Sequence, residues 1–165
     1  MTNNPLGIPK GILRRFRYVD IVGQLDTSER EQLLKQFLEK RLPVTGDIAS
    51  QYGIWAKRLE DAPGDVVRKV VDEVHFAIIP SFLKSNSSLA SRIEKVLLNR
   101  EREYGTLRDE DIPYVRECLE RYGVKVTPQH VERALTDVLN KPQIRVQIDA
   151  ARKVYNEAQR LLDSM

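Results

Sequence analysis

Apolar residues recur along most of this chain at intervals of three and four, the spacing of one face of an α-helix. Ile12, Leu13, Phe16, Val19 and Val22 follow it between residues 10 and 25, and Leu33, Leu34, Phe37 and Leu38 between 27 and 41. Residues 65–79 are rich in valine, which by composition alone favours a strand. Val67, Val70, Val71, Val74 and Ile78 nevertheless keep helical spacing, and strands rarely run that long. The pattern therefore predicts a helix here, ended by Pro80. Leu89, Ile93, Val96 and Leu97 predict another over 88–104. Val131, Ala134, Leu135 and Val138 predict one more, ending before Pro142.

The ends of these segments carry matching punctuation. Asp26 followed by Glu29 forms a capping-box pattern, in which each residue bonds the other's backbone N–H. Thr127-Pro128 places a cap and a proline at a helix start. Gly105 and Gly123 stand where helices 88–104 and 109–122 close, and Val124-Lys125-Val126 reads as an extended link. With no internal repeat and no low-complexity tract, the expectation is an all-α fold. It comprises one compact domain of seven to nine helices over residues 10–165, preceded by a flexible arm at 1–9 (MTNNPLGIP). A chain of 165 residues is long enough for a substantial core without disulfides or metals.

One stretch has the form of a recognition device. Thr45–Ala62, TGDIASQYGIWAKRLEDA, predicts a short helix, a left-handed turn at Gly53 and a second helix beginning near Trp55. Over eighteen residues it resembles a helix-turn-helix, with Ala49 as the small contact residue and Ile48, Tyr52, Ile54 and Leu59 inward. Trp55, Lys57 and Arg58 would face outward, the cations toward phosphates or guanine edges and the indole N–H toward a phosphate. Glu60 and Asp61 would repel phosphates in that position, and Pro63-Gly64 limits the second helix to under two turns.

Charge adds to this picture through its distribution. The chain carries a net charge of only +3, yet residues 1–58 hold +4 and residues 59–165 hold −1. Lys10, Arg14, Arg15 and Arg17 set four cations within eight residues, with no acid among them. Such a basic region can neutralise a nucleic-acid backbone. The nucleic-acid-binding candidates are therefore Lys10, Arg14, Arg15, Arg17, Trp55, Lys57 and Arg58, in the basic part spanning 10–62, with DNA preferred over RNA.

The last helix, 142–162, suggests a second kind of contact. Ile144, Ile148, Ala151, Tyr155, Ala158 and Leu162 are spaced 4, 3, 4, 3 and 4, which is a heptad seam. Small Ala151 and Ala158 permit close helix approach. These six residues are the candidate interface for a homodimer or for a helical protein partner.

No other chemistry-bearing residues form a recognisable pattern. His75, His130 and the single Cys118 have no metal-ligand spacing, and no phosphate loop, nucleophile elbow or dinucleotide fingerprint occurs. His75 reads as a satisfied, half-buried side chain, His130 as a solvated first-turn residue and Cys118 as a buried thiol. No metal, cofactor or catalytic residue is expected. One cysteine allows no internal disulfide, and no apolar run reaches membrane-spanning length. The expectation is a cytoplasmic, non-enzymatic protein without a membrane partner. It would bind nucleic acid, or alternatively act as a helical interaction or assembly subunit without doing so.

Overall fold

The computed structural model describes residues 24–85, 110 and 112–164. They are mostly helical, as the spacing predicts. Six α-helices follow in order: α1 (Thr27–Arg41), α2 (Tyr52–Arg58), α3 (Gly64–Ser85), α4 (Ile112–Arg121), α5 (Pro128–Asn140) and α6 (Pro142–Asp163). A 3-10 turn, Gly46–Ser50, precedes α2. The described residues thus hold six helices rather than seven to nine. The helix expected at 10–25 lies outside them except for Gln24 and Leu25, which are not helical, and the helix expected at 88–104, the arm at 1–9, Gly105 and Asp109 lie outside them altogether.

No strand occurs among the described residues. A single parallel bridge joins Val44 to Val126. The Thr45 N–H donates to Val126 O (3.0 Å) and the Val126 N–H to Pro43 O (2.8 Å), tying the exit of α1 to the link before α5.

The central element is α3. It packs against both α1 and α5, and α1 in turn receives α2 and α4, while α6 lies on α5. Val66, Val67, Val70, Val71, Val74 and Ile78 of α3 are buried in one cluster with Leu34 and Leu38 of α1 and Tyr52, Trp55 and Leu59 around α2. Leu119 of α4, Val131, Ala134, Leu135 and Val138 of α5 and Ile144 of α6 also belong to it, as do Leu42, Ile48, Ala62 and Val126 of the connecting segments. Helix α3 does not stop at Pro80 but runs on to Ser85. Proline removes its own N–H, and with it the bond to Phe76 O, but the residues beyond can continue the helix.

The caps at α1 and α4 form as the sequence predicts. At α1 the Glu29 N–H donates to Asp26 Oδ1 and the Asp26 N–H to Glu29 Oε2, both at 2.8 Å. At the end of α4 the Val124 N–H reaches Leu119 O (2.9 Å) and the Gly123 N–H reaches Glu120 O (3.1 Å), a Schellman closure. Gly123 there adopts φ +68°.

The glycines yield a paired prediction. At Gly123 a Cβ would meet open space, so Gly123→Ala carries only the left-handed penalty and destabilises by about 1 kcal/mol. Gly46 is equally open but without positive φ, so Gly46→Ala stabilises by roughly 0.5 kcal/mol through the unfolded chain. Urea denaturation of the two variants, read as midpoint shifts of opposite sign, checks both.

Candidate functional site

The Trp55 corner forms, but in a different register. Gly53 is the second residue of α2 and is not left-handed. The left-handed residue is Asp61, φ 59°, in the turn leading to α3. Because α2 begins at Tyr52, a period of 3.6 puts Tyr52, Trp55, Ala56 and Leu59 on one face and Ile54, Lys57 and Arg58 on the other. The first set is buried and the second exposed, with Ile54 52% accessible. Trp55 therefore faces the core rather than solvent, and Ile54 takes the outward place.

The polar end of Trp55 is satisfied from across the fold. Its Nε1–H donates to Glu132 Oε1 of α5 at 2.5 Å. Arg58 pairs with the other oxygen of the same carboxylate and donates to Thr136 Oγ1 at 3.1 Å. Glu132 thus locks α2 onto α5. The Trp55 ring meets Tyr52 edge to face, with centroids 5.7 Å apart and planes at 89°. Tyr52 donates its hydroxyl to Glu39 Oε1 at 3.2 Å, and burial, then the Glu39 charge and that bond, push its pKa well above the usual phenol value.

On the opposite side, buried Arg30 holds α1 to the same corner. Its guanidinium donates to Ala56 O (3.2 Å), to Leu25 O and to Thr27 Oγ1 (3.1 Å). A cation close to the carboxyl end of α2 also complements the helix dipole. Asp61 accepts from Gln24 Nε2 and from Arg152 Nε of α6, each at 2.6 Å. The acids expected to repel phosphates from the corner include one engaged in holding it together.

Of the nucleic-acid candidates, then, Trp55 is buried, Arg58 is ion-paired, and Lys57 is exposed. Lys10, Arg14, Arg15 and Arg17 lie outside the described residues.

The α6 seam also turns inward. Ile144 and Ala158 are only 3% and 4% exposed within the single chain, Ile148 packs on the core cluster, and Ala151, Tyr155 and Leu162 are half-buried. Within the single chain, Ile144, Ile148 and Ala158 of this seam pack on the chain's own body. Polar contacts fix that placement. Gln147 bridges Asp65 and Lys69 of α3, and Lys141 pairs with Glu73 at 2.9 Å. What α6 leaves open is its other side. Val146 is 68% and Val154 40% exposed, and exposed Ala150 lies between them at the same four-residue spacing.

Both histidines differ from expectation. His130 is half-buried and works as a cap: its Nδ1 accepts the Thr127 N–H at 3.1 Å and lies 3.0 Å from Thr127 Oγ1. His75 is 1% exposed and neither ring nitrogen has a hydrogen-bond partner. Burial, then the nearby Arg41 charge, lowers its pKa to about 3. The Cys118 side chain lies outside what is described. Among the described residues no three metal-ligating side chains converge, and no helix is long and apolar enough to cross a membrane.

No protein-family model, no curated protein and no solved structure matches this chain.

The holding roles of Glu132, Asp61 and Arg30 are not legible in the sequence. Arg30 alone leaves a local trace, as one of two arginines on the buried face of α1 with Leu34 and Leu38. The Glu132 clamp has a direct test. Glu132→Leu leaves the Trp55 N–H buried and unpaired and destabilises by about 1–3 kcal/mol. Arg58→Ala, at a half-exposed pair, costs less than about 1 kcal/mol. Chemical denaturation followed by the fluorescence of the single tryptophan reports on this corner directly.

Proposed function

We propose that this protein is a non-enzymatic helical interaction subunit whose docking surface is the outer face of α6, with a second copy of the chain as its first partner. The observation that carries this reading is the stripe Val146, Ala150 and Val154. Among the described residues four large apolar side chains are exposed, and two of them fall on this one line. Isolated exposed valines need no explanation, but aligned ones on a single helix form a surface that another helix can cover. The opposite seam of α6 is already packed and its position is held by Gln147, Lys141 and Arg152, so the stripe is presented on a fixed element. The lone cysteine supports a reducing, cytoplasmic setting.

Sedimentation equilibrium of the intact protein across the micromolar range tests the proposal. Self-association is expected, and Val146→Glu combined with Val154→Glu abolishes it while leaving the helical circular dichroism unchanged. A wild-type chain that stays monomeric throughout, or association unaffected by the double variant, removes this reading.

A second reading, nucleic-acid binding, is favoured by one observation: the concentration of positive charge in residues 1–58, with Lys10, Arg14, Arg15 and Arg17 at its densest point. Lys57, exposed on α2, is the corner residue that remains to it. Duplex DNA and RNA binding, measured against salt, separates the readings. Under this one, affinity falls steeply as salt rises, and Arg14→Ala with Arg15→Ala reduces the log–log slope by about 2. An absence of binding at low salt excludes it.

A further inference from the structure

His75 has no part in the corner or in the α6 surface, and its surroundings are unusual. It lies in the second half of α3, with Val74 and Ile78 of the core beside it in sequence. An imidazole has two ring nitrogens, and in either neutral tautomer one is a donor. Leaving both unpaired in a buried position is costly, and native structures seldom do so. No apolar residue would suffer that penalty here. The ring's neighbour in sequence, Phe76, meets it edge-on at 6.2 Å, which offers a packing contact but no hydrogen bond.

The charged groups around the ring define what a proton would do. Arg41, at the end of α1, is almost fully buried and pairs with Asp72, one turn before His75 on α3. Its guanidinium also lies 5.9 Å over the Phe37 ring. Arg68, a further turn back, has its own Nε buried and unpartnered. The face of α5 against α3 presents Val131, Ala134, Leu135 and Val138, all apolar. The carboxylates of α1 and α3 nearest in sequence to Arg41 and His75 are already engaged: Asp72 by Arg41, Glu73 by Lys141 and Glu39 by the Tyr52 hydroxyl. A protonated His75 would be a second buried cation beside Arg41 with no carboxylate left to answer it.

We propose that His75 is an acid-sensitive latch on the α1–α3 seam. While neutral it packs as part of the core and α3 stays closed against α1. On taking up a proton it favours states in which the seam has opened and the imidazolium and Arg41 are both hydrated. The only chemistry is a proton transfer from hydronium to a ring nitrogen, which gains an N–H bond and leaves water.

The linkage has a definite sign. In the unfolded chain the imidazole titrates near 6.5, while in the folded chain burial holds it neutral to about 3. The open state therefore binds the proton first as pH falls. Stability from this residue is complete above pH 6.5, declines between 6.5 and 3, and declines no further below.

Urea unfolding of the full chain between pH 8 and pH 5, above the ordinary carboxylate range, is the experiment. The wild-type folding constant should fall about tenfold per pH unit below 6, reaching about a thirtyfold loss at pH 5. His75→Leu and His75→Gln should each lose that dependence, whatever their absolute stability. Amide exchange should show the loss of protection beginning at Leu34, Leu38 and α3. The same pH slope in both variants would overturn the proposal. Should neither variant fold, the ring resonances of wild-type His75 decide. A ring that remains neutral to pH 5 in the folded protein supports the latch, and one that titrates near 6.5 without loss of stability refutes it.

Discussion

The valine stripe of α3 has to be covered from two sides at once, and the other helices are placed by that requirement. A helix with Val66, Val67, Val70, Val71, Val74 and Ile78 all buried has an apolar face too wide for one neighbour. Leu34 and Leu38 of α1 and Leu135 and Val138 of α5 share its core cluster, and both helices pack on α3. Each fully buried side chain of this kind contributes on the order of 1.5–3 kcal/mol relative to exposure, so losing either cover would expose more than the fold's margin can bear. Short α2 then fills the space beside α1 with the two largest buried side chains, Tyr52 and Trp55.

Polar groups finish what packing begins. Helices with apolar seams can slide, since the hydrophobic effect has no direction. Glu132 removes that freedom between α2 and α5 by taking both the Trp55 indole and the Arg58 guanidinium. Asp61 does the same between the α2–α3 turn and α6 through Arg152, and Arg30 between α1 and α2 through backbone carbonyls. Arg41 and Asp72 are a different case, being largely out of water. A pair of that kind adds little net stability, yet removing one partner strands the other, so it acts as a register pin more than as glue.

What was legible in the sequence was local. The Asp26–Glu29 box, the Gly123 closure and the α3 periodicity each depend on residues a few positions apart, and each is found as read. The Trp55 corner departs from its predicted register because a helix turns 100° per residue, so a shift in its start rotates every side chain. Starting α2 at Tyr52 rather than near Trp55 exchanges the inward and outward places of Trp55 and Ile54. Glu132 lies 77 residues from Trp55 and Asp61 lies 91 from Arg152, so nothing local could pair them. Nor can periodicity say what a seam faces. The heptad line of α6 is genuine as a pattern, and within the chain its Ile144 and Ile148 pack on the core.

That distinction bears on function. A recognition helix works by presenting uncommitted side chains to a ligand, and the inner groups of α2 are committed to Glu132 and to the core. Freeing Trp55 for a phosphate would empty the largest buried position in the fold and leave Glu132 with only half of its contacts. Presentation costs α6 nothing comparable. Its outward valines are exposed, while its inward seam and its bonds to Asp61, Asp65 and Glu73 hold it in place. A surface that can be covered without dismantling the core is the more economical place for a partner, and this weighs the balance toward α6 and away from the corner.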